Sequence, residues 1–125
     1  MDAVLVVADS VWVVNDVLAA ISEPGTTVDV LDDPRSTVAR LSERAYGAVI
    51  VDLQVGSMGG MAVTRAVRDA IAGEAIAPVT TVLLLDRQAD VFLARRALAD
   101  IHLVKPFMPQ DLQAALALEP SPSGT

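Results

Sequence analysis

The sequence predicts a doubly wound α/β domain in which a five-stranded parallel sheet is covered by helices on both faces. Three observations lead there. Continuous runs rich in Val, Ile and Leu occur at 3–7, 48–53 and 79–85. They are too short for core helices and lack the polar alternation of a half-solvated strand, which is how strands buried on both faces read. Segments with apolar residues at helical spacing separate them, opened by Ser, Asp or Pro and closed by Gly or Pro. The alternation βαβαβαβαβα, with no internal repeat or low-complexity segment, implies parallel strands joined by right-handed crossovers.

Ala3 to Val7 is the first strand, closed by Ala8-Asp9-Ser10. Val13, Val14, Val17, Leu18 and Ile21 recur at helical spacing, with Ser10 or Asp9 placed to cap the first turn and Pro24-Gly25 to end the helix. Thr27 to Leu31 alternates like a short strand, and Asp32-Asp33-Pro34 starts a second helix with Val38, Leu41 and Ala45 as its apolar face. Tyr46-Gly47 turns back into Ala48-Val49-Ile50-Val51-Asp52-Leu53-Gln54, an apolar run that stops on a carboxylate. Val55-Gly56-Ser57-Met58-Gly59-Gly60 is a loop whose glycines allow positive φ.

A third helix is expected from about Met61 to Ile71, with Thr64, Arg65, Arg68 and Asp69 on its polar side. Gly73 and Pro78 bracket the return, and Val79 to Leu85 is a buried strand ending at Asp86. Val91 to Leu98 reads as a helix with Arg95 and Arg96 exposed, and Ile101 to Val104 as a last strand stopped by Lys105-Pro106-Phe107. Pro109-Gln110-Asp111 opens a terminal helix through Leu118, and Pro120 to Thr125 is polar. One domain is expected over 1–118, with 119–125 as a tail or the start of a linker.

With five strands the expected arrangement is the flavodoxin-like order 2-1-3-4-5, whose switch point lies between the first and third strands. Ligand crevices of open α/β sheets lie there, outside the carboxyl ends of the strands. Asp9 and Asp52 are thereby placed side by side.

Composition narrows the function. The 125 residues suffice for a core without disulfides or metal, and 53% are hydrophobic against 20% charged. A net charge of -7 argues against direct nucleic-acid binding, which draws on clustered Lys and Arg. The absence of cysteine excludes thiol catalysis and thiolate zinc sites. The amino-terminal apolar run is too short for a signal peptide or a spanning helix, so a cytoplasmic protein without membrane contact is expected. No Ser-His-Asp set, P-loop or zinc signature appears, and the lone histidine, His102, lacks partners for a metal site.

Three strands end on acids, Asp9, Asp52 and Asp86, and a fourth ends on Lys105 before a proline. With Val4-Leu5-Val6-Val7 followed by an acid, Val49-Ile50-Val51-Asp52 followed by Met58 and Gly60, and Leu103-Val104-Lys105-Pro106-Phe107, the chain resembles the receiver domains of bacterial two-component response regulators over residues 1 to about 118. The resemblance implies Asp52 as phosphoacceptor, Asp9 and Asp52 as metal-binding carboxylates, the main-chain carbonyl of Gln54 as a further metal ligand, and Lys105 as the phosphate-sensing amine. The physical logic is independent of the family. Two anions must approach, so phosphoryl transfer to a carboxylate relies on positioning and a divalent cation, and Mg2+ takes oxygen ligands of this kind. The family also implies a histidine kinase or phosphotransfer protein as donor and an effector domain or output protein as reader. A homodimer through the face of the fourth helix, fifth strand and fifth helix belongs to the same expectation. The output is a partner interaction rather than turnover of a metabolite.

The departures from the family lie around the same site. Ala8 replaces the first of two adjacent acids, which weakens magnesium binding without forbidding it. Asp86 stands where a Thr or Ser normally donates its hydroxyl to the phosphoryl group. A carboxylate there either pairs with Lys105 or Arg87, helps hold the cation, or serves only to cap the fourth helix. His102 replaces an aromatic rotor, Gly56 replaces a proline and is expected to loosen its loop, and Leu98 replaces a glycine. Trp12 either lies over the crevice or is an exposed helix residue. Two readings remain: a phosphorylated switch, and an atypical receiver that acts as a protein-interaction module without phosphate. Flavin binding on the same fold needs a hydroxyl- and glycine-rich phosphate loop, and Ala8-Asp9-Ser10-Val11-Trp12 places an acid there instead.

Overall fold

The apolar runs form strands because both of their faces are covered. In the computed structural model, which describes residues 3–117, strands and helices alternate as β1 (Ala3–Val7), α1 (Val11–Ala20), β2 (Thr27–Leu31), α2 (Thr37–Glu43), β3 (Ala48–Asp52), α3 (Gly60–Ala72), β4 (Thr80–Leu85), α4 (Val91–Ala97), β5 (Ile101–Val104) and α5 (Pro109–Leu116). Every residue of β1, β3 and β4 is buried. Side chains divide between the faces with the period of two that a strand imposes. Leu5, Val7, Val49, Val51, Leu83 and Leu85 meet Leu41 of α2, Val63 and Val67 of α3 and Ala94 of α4. Val4, Val6, Ile50, Val82 and Leu84 meet Val17 of α1 and Leu112 and Ala115 of α5 on the other side.

All strand pairs are parallel, and the order is β2-β1-β3-β4-β5, as the sequence predicts. Chain order reverses between β1 and β3, which lie side by side with Val7 opposite Val51. Asp52 stands opposite Leu84, and Leu85 opposite Val104. The ends of β1, β3, β4 and β5 therefore reach one rim, and the residues that follow them share it. Crossovers of this kind put ligand chemistry at that rim because the loops leaving it diverge to opposite faces.

The polar side expected for α3 is only half right. Arg65 and Asp69 are exposed and pair at 3.2 Å, whereas Thr64 and Arg68 are 0% and 2% exposed. Arg68 Nη1 donates to both oxygens of Asp100, at 3.0 and 3.2 Å. Asp100 also accepts from the main-chain N–H of Thr81 at 2.8 Å and from its hydroxyl. A buried guanidinium is tolerable only when paired in this way, and the network joins α3 to β4 and the turn before β5.

Smaller corrections occur at the ends of elements. Ala45, expected on the apolar face of α2, lies beyond the end of that helix and is exposed, while Tyr46 is buried in its place. A 3-10 turn over Pro34–Ser36 precedes α2, with the Asp33 carboxylate accepting from the Arg35 N–H and the Ser36 hydroxyl. Ser10 occupies the N-cap position of α1 without a side-chain hydrogen bond to the helix. The expected domain boundary at 118, the helix end at Leu118 and the tail over 119–125 lie outside the described residues. Among the described residues no helix is long and apolar enough to cross a membrane.

Candidate functional site

Asp52 is the last residue of β3 and its side chain is 2% exposed. Hydrogen bonds from Leu53 N to Leu84 O at 2.9 Å and from Lys105 N to Leu85 O at 2.9 Å extend the sheet to its rim. They set Lys105, just past β5, on the far side of β4 from Asp52. The lysine reaches across. Its Nζ donates to Asp52 Oδ1 and, at 2.9 Å, to Asp86 Oδ1 at the end of β4. Gln54 Nε2 donates to the other oxygen of Asp86 at 2.7 Å. Asp52, Lys105, Asp86 and Gln54 thus form one connected chain across three strand ends.

Electrostatics follow the geometry. Burial pushes the Lys105 ammonium down, but hydrogen bonds and charge from Asp52 and Asp86 outweigh it, and the lysine titrates above its ordinary value. Burial pushes Asp86 up, yet the bonds from Lys105 and Gln54, with the charges of Lys105 and Arg87, hold its carboxyl below the usual range. Of the roles open to Asp86 in the sequence, the pairing with Lys105 is the one formed. Arg87 turns instead to Asp90 at 3.2 Å, and the Asp90 carboxylate accepts from the Arg87 N–H ahead of α4.

Asp9 follows β1 and is exposed. Its Oδ2 accepts from the main-chain N–H of Gly56 at 2.9 Å, which ties the loop after β3 back to the end of β1. Gly56 has φ +52, and a Cβ there would lie 3.0 Å from Pro34 Cγ. A proline at this position has no N–H to donate and cannot take that φ, so the glycine anchors the loop rather than loosening it. Gly60, the first residue of α3, comes so close to β3 that a Cβ would stand 2.3 Å from the Asp52 carbonyl oxygen. The end of this loop is thus the seat on which the helix approaches Asp52.

A magnesium site can be tested on these residues. Ala8, 1% exposed and packed among apolar side chains, supplies no ligand. Both oxygens of Asp86 are already engaged, and among the described residues no group of three or more His, Cys, Asp or Glu is placed to hold a metal. Asp52 Oδ2 accepts no hydrogen bond among the described residues. The oxygens left to a cation are those of the exposed Asp9 carboxylate, of Asp52 and of the main-chain carbonyl of Gln54, a small set. A cation that keeps several of its waters, as magnesium does, suits such a set.

The remaining sequence candidates lie outside this chain of contacts. His102 is half-buried on β5. Trp12 is 80% exposed at the start of α1. Leu98 has φ 61 and ψ 35, so the position that resembles a glycine in the family does adopt left-handed backbone, with a leucine in it. The Gln54 side chain, the Gly56 N–H and Gly60 were not expected as parts of the site. Only the run of glycines after Asp52 hinted at the last two, and nothing in the spacing announces the Gln54–Asp86 bond.

Comparison with known proteins agrees with the fold. The response regulator receiver domain family matches residues 4–117. The two-component response regulator PhoP of Pseudomonas aeruginosa is 28% identical over 112 residues, covering 90% of this chain and 48% of the relative, so the chain spans about half the length of the curated relative it matches. The receiver domain of a sensor histidine kinase from the same organism superposes with a TM-score of 0.78 at 24% identity, covering 92% of this chain and 93% of that one. That structure is described with magnesium coordinated in its active-site cleft. The chemotaxis protein CheY4 of Vibrio cholerae gives 0.74 at 25% identity, covering 93% and 96%. From the match over nearly the whole chain, we conclude that this protein belongs to the response regulator receiver domain family.

Proposed function

We propose that this domain accepts a phosphoryl group on Asp52 in a phosphorelay and transmits the change to a partner. The observation that carries the reading is the ion pair of Lys105 with a carboxylate buried at the same rim of the sheet. It leaves one oxygen of Asp52 bound to the ammonium and the other, among the described residues, without a hydrogen bond. Asp52 Oδ2 attacks the phosphorus of a phosphohistidine on a kinase or phosphotransfer protein. The P–N bond breaks in line, its electron pair leaves on the imidazole, and that ring takes up a proton. Mg2+, when bound by Asp9, Asp52 and the main-chain carbonyl of Gln54, offsets the charge of the two approaching anions. Lys105 then pairs with the phosphoryl oxygens as a mobile point charge.

The reader is an effector domain or a separate output protein, engaged through α4, β5 and α5, the elements that flank Lys105. Arg95 and Arg96 are exposed on α4 and offer charge for that contact or for a homodimer. An acidic, cytoplasmic domain without direct nucleic-acid or membrane contact completes the reading.

A specific observation favours a second reading, an interaction module that works without phosphate. Ala8 is buried where an acid would help hold the cation, and Asp86 already holds Lys105. Intact mass after incubation with acetyl phosphate and Mg2+ separates the two, using the natural chain and Asp52→Asn. A single phosphoryl adduct that the substitution abolishes supports the switch. No adduct on the natural chain rejects it in favour of the module.

A further inference from the structure

Asp86 does something that acceptor chemistry on Asp52 does not require. Its Oδ1 takes a hydrogen bond from Lys105 at 2.9 Å and its Oδ2 one from Gln54 at 2.7 Å, so the carboxylate is gripped at both ends. Arg87, the nearest guanidinium in sequence, is committed to Asp90 and leaves that grip undisturbed. An ammonium has three N–H donors and no acceptor, and two of those of Lys105 go to the two carboxylates.

We propose that Asp86 is a resident anion that competes with an incoming phosphoryl group for Lys105, with Gln54 as the positioning residue that keeps it there. The proposal rests on the phosphorelay reading and deepens it. A phosphoryl group on Asp52 brings close to two negative charges and three acceptor oxygens. It must draw Lys105 away from Asp86, and it then faces a carboxylate that, when ionised, donates nothing in return. Two unit charges about 4 Å apart at an effective dielectric near 20 repel enough for roughly a thousandfold change in affinity. The Asp86 side chain is 34% exposed, and solvent screening reduces that to about tenfold to a hundredfold. The site consequently demands a strong donor and gives up its phosphoryl group readily.

The charge is removed in Asp86→Asn, which keeps the shape. Asp86→Thr adds a hydroxyl donor, and Gln54→Ala removes only the positioning contact. Adduct formation is followed by intact mass over a range of acetyl phosphate concentrations with Mg2+. Both Asp86 variants should reach half-maximal adduct at concentrations roughly tenfold to a hundredfold lower than the natural chain, and Gln54→Ala should shift the same way by a few-fold. A purely structural role for either residue would lower melting temperature and leave that concentration unchanged, which would overturn the proposal.

A second readout does not depend on transfer. The Lys105 ammonium resonance, followed by nitrogen-15 NMR without phosphodonor, should move and exchange faster in Asp86→Asn. An unmoved resonance overturns the competition whatever happens at Asp52. If the resonance moves while no variant ever forms an adduct, the hold of Asp86 on Lys105 stands and the reading of Asp52 as acceptor fails.

Discussion

The main-chain N–H of Gly56 donates to Asp9 Oδ2 at 2.9 Å, binding the loop that follows β3 to the acid that follows β1. Position 56 needs both an N–H and a positive φ, here +52. Alanine at that φ costs about 1–2 kcal/mol, and its Cβ would press on Pro34 Cγ at 3.0 Å. Proline loses the donor and fixes φ near −65°, so the loop must rearrange and Asp9 is released. Gly56→Ala should lower stability by about 1–2 kcal/mol and Gly56→Pro by more. Urea denaturation checks both, and a Gly56→Pro variant as stable as the natural chain would show that the tie is immaterial.

The pair of carboxylates around Lys105 predicts a pH dependence. Asp86 is held below its ordinary carboxyl value in the folded state. Its contribution to stability is therefore present above the unfolded carboxyl pKa and lost as pH falls through the lower folded value. Lys105 is raised, so its contribution is complete below the unfolded amine pKa and disappears as pH rises through the folded one. Replacing Asp86 by Asn should destabilise the protein by a constant amount across the neutral range. On the acid side that difference should shrink towards zero once the natural carboxyl is itself protonated. Denaturant titrations of both proteins at neutral pH and near pH 3 make the comparison. A difference that is as large in acid as at neutrality would mean that the charge of Asp86 is not its source.

Which parts were legible follows from what local sequence encodes. Continuous Val and Ile runs announce β1, β3 and β4 because burial on both faces removes the need for polar residues. Asp9, Asp52 and Lys105 were visible because each interrupts such a run, and the strand order brings the interruptions to one rim. Arg68 was not visible. On a helical wheel it lies with Arg65 and Asp69, and its partner Asp100 comes 32 residues later in a turn. The seating of Gly60 escaped for a similar reason: only the crossing of α3 over the end of β3 makes a side chain there collide with backbone.

The buried pair behind α3 should dominate stability on that side of the sheet. Arg68 is 2% exposed and Asp100 10%. Truncating Asp100 to Ala strands a guanidinium in the core and removes the acceptor of the Thr81 N–H, at an expected cost of about 3–5 kcal/mol. Combining Arg68→Met with Asp100→Asn removes both charges while an amide carbonyl still accepts from Thr81. The double variant should recover much of the loss, because apolar replacements of buried ion pairs are often close to neutral. Chemical denaturation of Asp100→Ala and the double variant decides it. Equal losses would point to packing volume rather than the unpaired charge as the cause.

Leu98 closes α4 with φ 61 and ψ 35, a left-handed conformation that a β-carbon disfavours by about 1–2 kcal/mol. Glycine adopts it freely and is the usual residue at such a helix end. The main-chain bond that the cap makes, Leu98 N to Arg95 O at 3.2 Å, needs no side chain. The leucine side chain returns little for the strain, since the residue is 37% exposed and lies outside both apolar clusters. Leu98→Gly should therefore stabilise the domain by up to about 1 kcal/mol, the relief of strain being partly offset by the greater freedom of glycine in the unfolded chain. In a domain of this size that corresponds to a rise in melting temperature of roughly 3–5 °C. Leu98→Ala keeps the β-carbon and loses only the apolar contact, so it should lie below the natural chain. A thermal melt of the three proteins tests that order, and a glycine variant that melts no higher than the alanine variant would show that backbone strain is not what position 98 costs.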